Sequence, residues 1–399
     1  MVAVVRAVAA AVLAALAASA AALAAPGAPL GTRLAQALHV PHVSPSASAA
    51  AVLDLSTGQS VYTQNATLPL LPASNEKLAV TYAALTALGP EFQIETDVLG
   101  EGSQAGSVWQ GDLVLKGYGD PTLSSSQLAQ LAQQVHSDGI TSVSGRIIGD
   151  ATWFDALQTA PGWKTSFYID ESPPLSALTV DRTSSRNPPL AAAQLFRKAL
   201  RRAGVDVGGA AQVGAADAHA APLASVDSPP LSAMVRWMDK VSDNFTAEML
   251  LKELGAVQGA SGTTAAGIGV VAGLLTQAGV PMRGVRLLDG SGLSLLDRMT
   301  TSTLVSLLSV MWNDVEVRLE LLGSLPVAGR SGTLHDRMRH GAATGVVMAK
   351  TGSTSNASAL SGFVGDRYVF SILENGWPVD WYWARTSQDR FATVLAASQ

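Results

Sequence analysis

Ser74-Asn75-Glu76-Lys77, Ser242-Asp243-Asn244 and Lys350-Thr351-Gly352 stand in that order along a chain of 399 residues. The first cluster pairs a hydroxyl with an amine three residues later. That spacing puts both on one helical face, where a neutral lysine can take the proton of an attacking serine. A lysine works as a base near neutral pH only when burial or a neighbouring cation lowers its pKa, and Lys350 is a candidate neighbour. Ser242 is placed to relay a proton between Lys77 and a leaving amine, and the Asn244 amide can both donate to and accept from a substrate peptide group. Lys350 and Thr351 together suit a carboxylate, while Gly352 leaves room for a substrate backbone. The backbone N–H groups of Ser74 and Ser353 are candidates for an oxyanion hole. The chemistry implied is covalent acyl transfer through a serine.

Each cluster has an ordinary structural reading as well. A serine three residues before a lysine also marks solvated helix faces, Ser-Asp-Asn is a common helix N-cap, and a lysine near a strand end often blunts a sheet edge. Asp243 is expected to serve as such a cap, and Glu76, beside the reactive pair, is expected to be structural. The three clusters in order carry far more weight than any one of them.

The elements expected to position these residues follow from local patterns. Pro72 and the run to Leu85 read as a helix start with Ser74 in its first turn. Residues 238–251 read as a loop entering an amphipathic helix. Gly345 to Ser353 reads as a strand at a cleft edge, with Lys350 and Gly352 on one face and Thr351 on the other. Ala49 to Leu55 and Gln59 to Gln64 alternate around Ser56-Thr57-Gly58, and Ala359 to Val364 and Arg367 to Leu373 flank Gly365-Asp366, two hairpin signals near opposite chain ends. If they share one sheet, the middle of the chain is an insertion.

The gap between Ser74 and Ser242 is far longer than one helical subdomain needs. From Gln93 to Gly149 short β-like stretches are broken by glycines, Ala191 to Ala203 has helical spacing, and Gly209 to Ala221 reads as loop. The organisation expected is a catalytic domain from 25–94 plus 226–399, and an inserted region at 95–225 made of two small β-rich domains.

Composition narrows the setting. Residues 1–24 carry one basic residue, Arg6, then an alanine-dominated apolar run ending Ala22-Leu23-Ala24, the pattern of a cleaved secretory signal peptide. A retained segment would instead leave the protein membrane-associated at its periphery. The location expected is extracytoplasmic. Removing Arg6 takes the formal charge from −5 to −6, which argues against nucleic acid as a partner. With no cysteine, thiol catalysis, disulfides and thiolate zinc sites are excluded; the six histidines form no HExxH, so neither metal nor cofactor is expected.

Beyond the three clusters, Leu115-Lys116-Gly117-Tyr118-Gly119-Asp120-Pro121, Leu175 to Val180, Asp289-Gly290-Ser291-Gly292-Leu293-Ser294 and Leu325 to Leu334 extend a likeness over nearly the whole mature chain. The chain resembles the low-molecular-mass class C penicillin-binding proteins, secreted D-alanyl-D-alanine carboxypeptidases and endopeptidases. The resemblance implies an α/β (α+β) fold: a transpeptidase domain like that of serine β-lactamases, an antiparallel sheet flanked by helices, with β-rich insertions. It implies attack by Ser74 on the terminal D-alanyl-D-alanine bond of peptidoglycan stem peptides, or on a D-alanyl cross-link, and acylation of Ser74 by β-lactam antibiotics.

The family's pocket for the substrate side chain points to the region of Trp153, Asp155, Trp163, Tyr168 and Asp170, with the aspartate left unassigned and packing the alternative role for each aromatic. Two other readings compete. A serine β-lactamase uses the same three motifs, but no Glu-x-x-Leu-Asn segment for class A deacylation occurs here. A catalytically silent cell-wall binding or scaffold protein would not need all of Ser74, Lys77, Ser242, Asn244 and Lys350.

Overall fold

The computed structural model describes residues 28–399; the expected signal peptide lies outside the described residues. Along the chain, α1 (Leu30–Leu38) precedes β1 (Ser48–Asp54) and β2 (Ser60–Gln64), and a 3₁₀ turn over Ala73–Glu76 runs directly into α2 (Lys77–Leu88). Next come β3 (Glu95–Ala105), β4 (Val108–Gly117), α3 (Ser125–Ser137), β5 (Ser142–Val143), β6 (Ile147–Asp150), α4 (Pro188–Arg202), β7 (Asp206–Val207), β8 (Ala211–Val213) and β9 (Ala221–Asp227). Helices α5 (Leu231–Val241), α6 (Asn244–Val257), α7 (Thr264–Gln277), α8 (Thr301–Asn313) and α9 (Val315–Ser324) follow. The chain closes with β10 (Val347–Ser353), β11 (Ala357–Val364), β12 (Tyr368–Asn375) and α10 (Trp381–Ala396).

Both hairpins form, with Gly58 and Gly365 at positive φ in their turns, where a side chain would be strained. They meet in one antiparallel sheet of order β10-β11-β12-β1-β2. The register pairs Ala49 with Leu373 and Val52 with Phe370. Helices cover each side of β11 and β12, so both strands are buried and largely apolar, and their polar side chains are paired, Ser361 with Ser371 and Glu374 with Ser387 and Gln388. One face packs α2, α5, α6 and α8 through Leu78, Met238, Leu250 and Leu307; the other packs α1 and α10 through Leu34, Phe370 and Phe391. Helix α2 is apolar almost all round, from Leu78 to Leu85, which makes it the central helix of this layer.

The segment between β2's sheet and α5 builds a second sheet, its main path ordered β7-β5-β4-β3-β9, with β6 and β8 joined at β4. Its β content was anticipated, and it also carries two helices. α4 matches the helical spacing expected over Ala191 to Ala203, and Asn187 caps it. α3 went unread although its signal is present: Leu128, Leu131, Ala132 and Val135 fall on one face, and Ser124 with Gln127 forms a capping box. Both helices bury that face against the sheet around Leu113, Leu115 and Ile147. Part of the expected 209–221 loop forms the short strand β8.

A small cluster of Phe154, Leu175 and Ala177 with Phe245 and Met249 holds the loop-rich stretch after β6 on helix α6. Phe245 is 1% exposed and lies 5.5 Å below the Arg182 guanidinium. Phe245→Ala is expected to lower the unfolding free energy by about 3–5 kcal/mol, read from urea denaturation midpoints. A loss near zero would mean that this seam is not packed as described.

Candidate active site

The 3₁₀ turn carrying Ser74 is forced into shape at both ends. Ala73 takes φ 46°, an unusual value for a residue with a side chain, and Gly292 approaches so closely that a Cβ there would lie 2.0 Å from Ala73 O. A Cβ on Gly352 would come within 3.0 Å of both Pro72 O and the Ala73 side chain. Gly352 therefore leaves room for the protein's own nucleophile turn. Asn75 Nδ2 completes the seam by donating to Lys350 O at 3.0 Å.

Lys77 is fully buried, and its Nζ donates to Ser74 Oγ at 3.0 Å, Asn244 Oδ1 at 2.8 Å and Ser291 O at 2.7 Å. Three donors meet three acceptors, which fixes the ammonium over the nucleophile. Burial holds its pKa below the ordinary range, and the carboxylates of Asp289, Glu248, Asp243 and Asp239 oppose that shift. Lys350 had been the neighbour expected to lower it. Repulsion between the two ammonium groups is mutual, and burial first and then the charge on Lys77 bring Lys350 down to about 7, against the pull of Asp239.

Lys350 is also fully buried and donates to Ser242 Oγ at 2.7 Å and Thr351 O at 3.0 Å. Ser242 caps α5 in a left-handed conformation, φ 63°, which turns the chain sharply between α5 and α6. Asp243 caps α6 by accepting from Thr246 N at 2.8 Å and pairs with Arg182 at 2.6 Å. Although burial raises its pKa, the bonds from Arg182 and Thr246 bring it below the ordinary range. Two hydrogen-bonded groups thus meet at one site, Ser74 with Lys77 and Asn244, and Ser242 with Lys350.

Ser74, Ser242, Asn244, Leu293, Thr351 and Ser353 line an open cavity of about 470 Å³. Along β10, Ala349 N–H bonds Pro326 O off the edge of the sheet. Antiparallel alternation then turns the N–H groups of Thr351 and Ser353 to the same free edge, beside the cavity. Ser74 is the second residue of the 3₁₀ turn, where the first N–H groups lack partners in the helix itself. Ser74 and Ser353, the residues of the two expected oxyanion donors, both line the cavity. Thr351 Oγ1 lies 2.6 Å from Thr333 Oγ1.

None of the five residues expected in a side-chain pocket lines this cavity. Trp153 Nε1 donates to Glu253 at 2.8 Å, Asp155 pairs with the buried Lys252, Tyr168 OH donates to Gln158 at 2.7 Å, and Asp170 is exposed. Trp163 Nε1 donates to Asp289 at 2.7 Å. Only Glu171 of that stretch reaches the cavity, and its backbone O accepts from Asn244 Nδ2 at 3.0 Å. Indole and phenol groups satisfied their polar tips inside the protein, which a sequence pattern does not reveal.

A layer of acids beneath the site was not anticipated. Asp289 accepts from the N–H groups of Gly292 and Ser294 at 2.7 and 2.8 Å, and Glu248 from those of Gly290 and Ser291 at 3.0 and 2.8 Å, which shapes the loop that presents Ser291 O to Lys77. Asp239 accepts from Thr81 and Ser324 at 2.8 and 3.0 Å. Glu76, Asp289 and Asp297 bring oxygens within 4.8 Å of one another. Burial, then mutual repulsion, raises Glu76 well above the carboxylate range and pushes Asp297 up to about 10 and Glu248 up to about 8. Raised in this way, Glu76, Glu248 and Asp297 favour their neutral forms. The Asp-Gly-Ser-Gly run at 289–292 was the one visible sign of this layer.

Residues 30–185 and 181–398 match the model of the D-Ala-D-Ala carboxypeptidase 3 (S13) family. The chain belongs to that family. It is 32% identical to the D-alanyl-D-alanine carboxypeptidase of Actinomadura sp. (strain R39), over 85% of this chain and 79% of the relative. It is 31% identical to carboxypeptidase DacB of Mycolicibacterium smegmatis, over 92% and 83%. Among solved structures, penicillin-binding protein 4 of Haemophilus influenzae superposes with TM-score 0.81 at 22% identity, covering 92% of this chain and 98% of that one.

The folded state holds protons on Glu76, Glu248 and Asp297 that the unfolded chain releases above its ordinary carboxylate pKa, so stability falls as pH rises from mildly acidic through about 8 to about 10. Urea midpoints measured near pH 6 and near pH 9 should show that fall, and Glu76→Gln should shrink it by about 1–3 kcal/mol. An unchanged slope in the variant would contradict a raised Glu76 pKa in the folded state.

Proposed function

We propose that this protein is a serine D-alanyl-D-alanine carboxypeptidase and endopeptidase of peptidoglycan stem peptides, acting through an acyl-enzyme on Ser74 and acylated there by penicillins. The carrying observation is that Ser74 Oγ, Lys77 Nζ and Asn244 Oδ1 are bonded in series beside the Lys350 Nζ–Ser242 Oγ pair, with Ser74, Ser242 and Asn244 lining one cavity over the two buried lysines. Family membership supplies the substrate class, and the relatives' names, both carboxypeptidases, agree with it.

Ser74 Oγ attacks the carbonyl of the penultimate D-alanine while neutral Lys77 takes its proton. The oxyanion forms against the N–H groups of Ser74 and Ser353, and the Asn244 amide holds the substrate peptide group once Glu171 O yields Nδ2. Ser242, bonded to Lys350, passes a proton to the departing amine, the C–N bond breaks, and D-alanine leaves. Water then hydrolyses the ester on Ser74. When the leaving amine belongs to a second stem peptide, the same steps cut a cross-link. Two structural relatives bear on these readings: one from Bdellovibrio bacteriovorus is a predatory peptidoglycan endopeptidase, and the Haemophilus influenzae protein has been solved in complex with a β-lactam.

The leader-like residues 1–24 and a cell-wall substrate support an extracytoplasmic site of action. Among the described residues no helix is long and apolar enough to cross a membrane.

Intact mass after incubation with benzylpenicillin should rise by one adduct, and Ser74→Ala should abolish it; an adduct on the alanine variant sinks the assignment. Release of D-alanine from a stem pentapeptide, set against cleavage of a cross-linked dimer, apportions the two activities. Because Lys77 must shed its proton to act as base, the acylation rate should rise with pH on a limb with its midpoint below the ordinary lysine value of 10.5. Lys77→Arg, which keeps the charge but cannot act as base, should reduce acylation by about 10³-fold or more. A variant that retains near-native rate would remove Lys77 from the proton path.

A further inference from the structure

Among the described residues four aromatic side chains are largely exposed, and three of them, Trp377, Trp381 and Tyr382, fall within one short stretch; the fourth, Trp237, stands on α5. Apolar rings left in water are normally scattered singly, so three together mark a surface built to be covered. Trp377 is 80% exposed and Tyr382 69%, which leaves most of both rings open to solvent.

The stretch is fixed to the turn that follows β10. Val379 N–H donates to Ser355 O at 3.0 Å, Gly376 N–H to Asn356 O at 3.1 Å, Asn356 Nδ2 to Gly376 O at 3.3 Å and Trp381 Nε1 to Thr354 O at 2.8 Å. Asp380 then caps α10 by accepting from the N–H groups of Tyr382 and Trp383 at 3.1 and 3.2 Å. Backbone held in this way presents the rings before any ligand arrives, and Trp and Tyr give up little rotamer freedom on contact.

The patch is continuous with the catalytic cavity. Arg385, which lines that cavity and donates to Ser353 Oγ at 3.4 Å, has its guanidinium 5.8 Å from the centroid of the Trp381 ring. A polymer reacting at Ser74 therefore meets the aromatic rim if it extends far enough. The stem residues that precede the scissile bond of a pentapeptide span at most about 14 Å, and beyond them the chain becomes sugar. Pyranose rings offer a face of C–H groups and an edge of hydroxyl and N-acetyl groups. The C–H face suits the negative face of an aromatic ring, and the edge suits the polar tip of a Tyr.

We propose that Trp377, Trp381 and Tyr382 form a glycan-binding platform at the rim of the Ser74 cavity, stacking on N-acetylated pyranose rings of the strand that carries the stem peptide. The platform favours stems borne on a glycan strand over free peptides. The inference takes its ligand from the reading of the Ser74 cavity as a site for peptidoglycan stem peptides.

Binding is measured apart from catalysis, by calorimetric titration of the full-length protein with glycan strands stripped of their peptides, which offer Ser74 no bond to attack. Wild type should bind them, the Trp377→Ala/Tyr382→Ala double variant should bind about 10-fold or more weakly, and Trp237→Ala should bind as wild type does. In D-alanine release, wild type should show a lower KM for a disaccharide-linked pentapeptide than for the same free peptide, and the double variant should lose that difference. One-adduct acylation by benzylpenicillin checks that the variants are folded. Equal binding by wild type and the double variant, or no binding by wild type, overturns the proposal. So does binding to phosphatidylglycerol vesicles, and not to strands, that the double variant abolishes, since the rim would then face a membrane. Strand binding by a wild type that benzylpenicillin does not acylate would sink the acyl-enzyme reading and leave the platform standing.

Discussion

The Lys77 ammonium, sealed from water and held by Ser74, Asn244 and Ser291, is the interaction on which the rest of this structure depends. Those three acceptors belong to segments far apart in the chain, and a buried charge tolerates no missing partner. Helix α2 can carry a lysine at its start only because the acids beneath balance it. Asp289 does so while also shaping, together with Glu248, the 289–294 loop, whose backbone supplies one of the three acceptors. Removing any one segment would leave an uncompensated polar group at the centre of the catalytic half. The same burial that makes Lys77 costly makes it a base.

A second buried lysine beside the first sharpens the arrangement. Two cations in one enclosed site disfavour each other's charge, and Asp239, buried under both, moderates that repulsion from a position bonded to Thr81 and Ser324. The geometry is stiff because backbone, not side chain, sets it. Ser242 sits in a left-handed cap, Ala73 in a positive-φ turn, and Gly292 and Gly352 admit contacts that a Cβ would block. Strain of this kind persists where packing on all sides over-determines it.

The inserted sheet is more than an appendage. Its loop-rich stretch packs Phe154 and Leu175 on α6, sends Trp163 to Asp289 and lays Glu171 O against Asn244. One contact thereby reaches the acid that organises the nucleophile's loop, and another occupies the Asn244 amide that the proposed mechanism gives to substrate.

Much of the fold was legible because period and punctuation encode it. Alternation around Ser56-Thr57-Gly58 and Gly365-Asp366 gave both hairpins, and the three motifs named Ser74, Lys77, Ser242, Asn244 and Lys350, which the fold gathers at one site. Helix α3 was legible and went unread, its capping box masked by the surrounding glycines. What lay beyond reading were pairings between distant residues. Trp153, Asp155, Trp163 and Tyr168 have the chemistry of a binding pocket, and only their partners, Glu253, Lys252, Asp289 and Gln158, show that those groups are spent inside the protein.

Sequence by itself determined the reactive groups, their order and the elements that carry them, since each depends on spacing within a few turns of helix or strand. Tertiary structure alone decided which cation is enclosed and which is free. Burial and partners come from segments far apart in the chain: Lys350 is closed in by Ser242, whereas Arg385, on the last helix, faces the cavity without a carboxylate partner among the described residues.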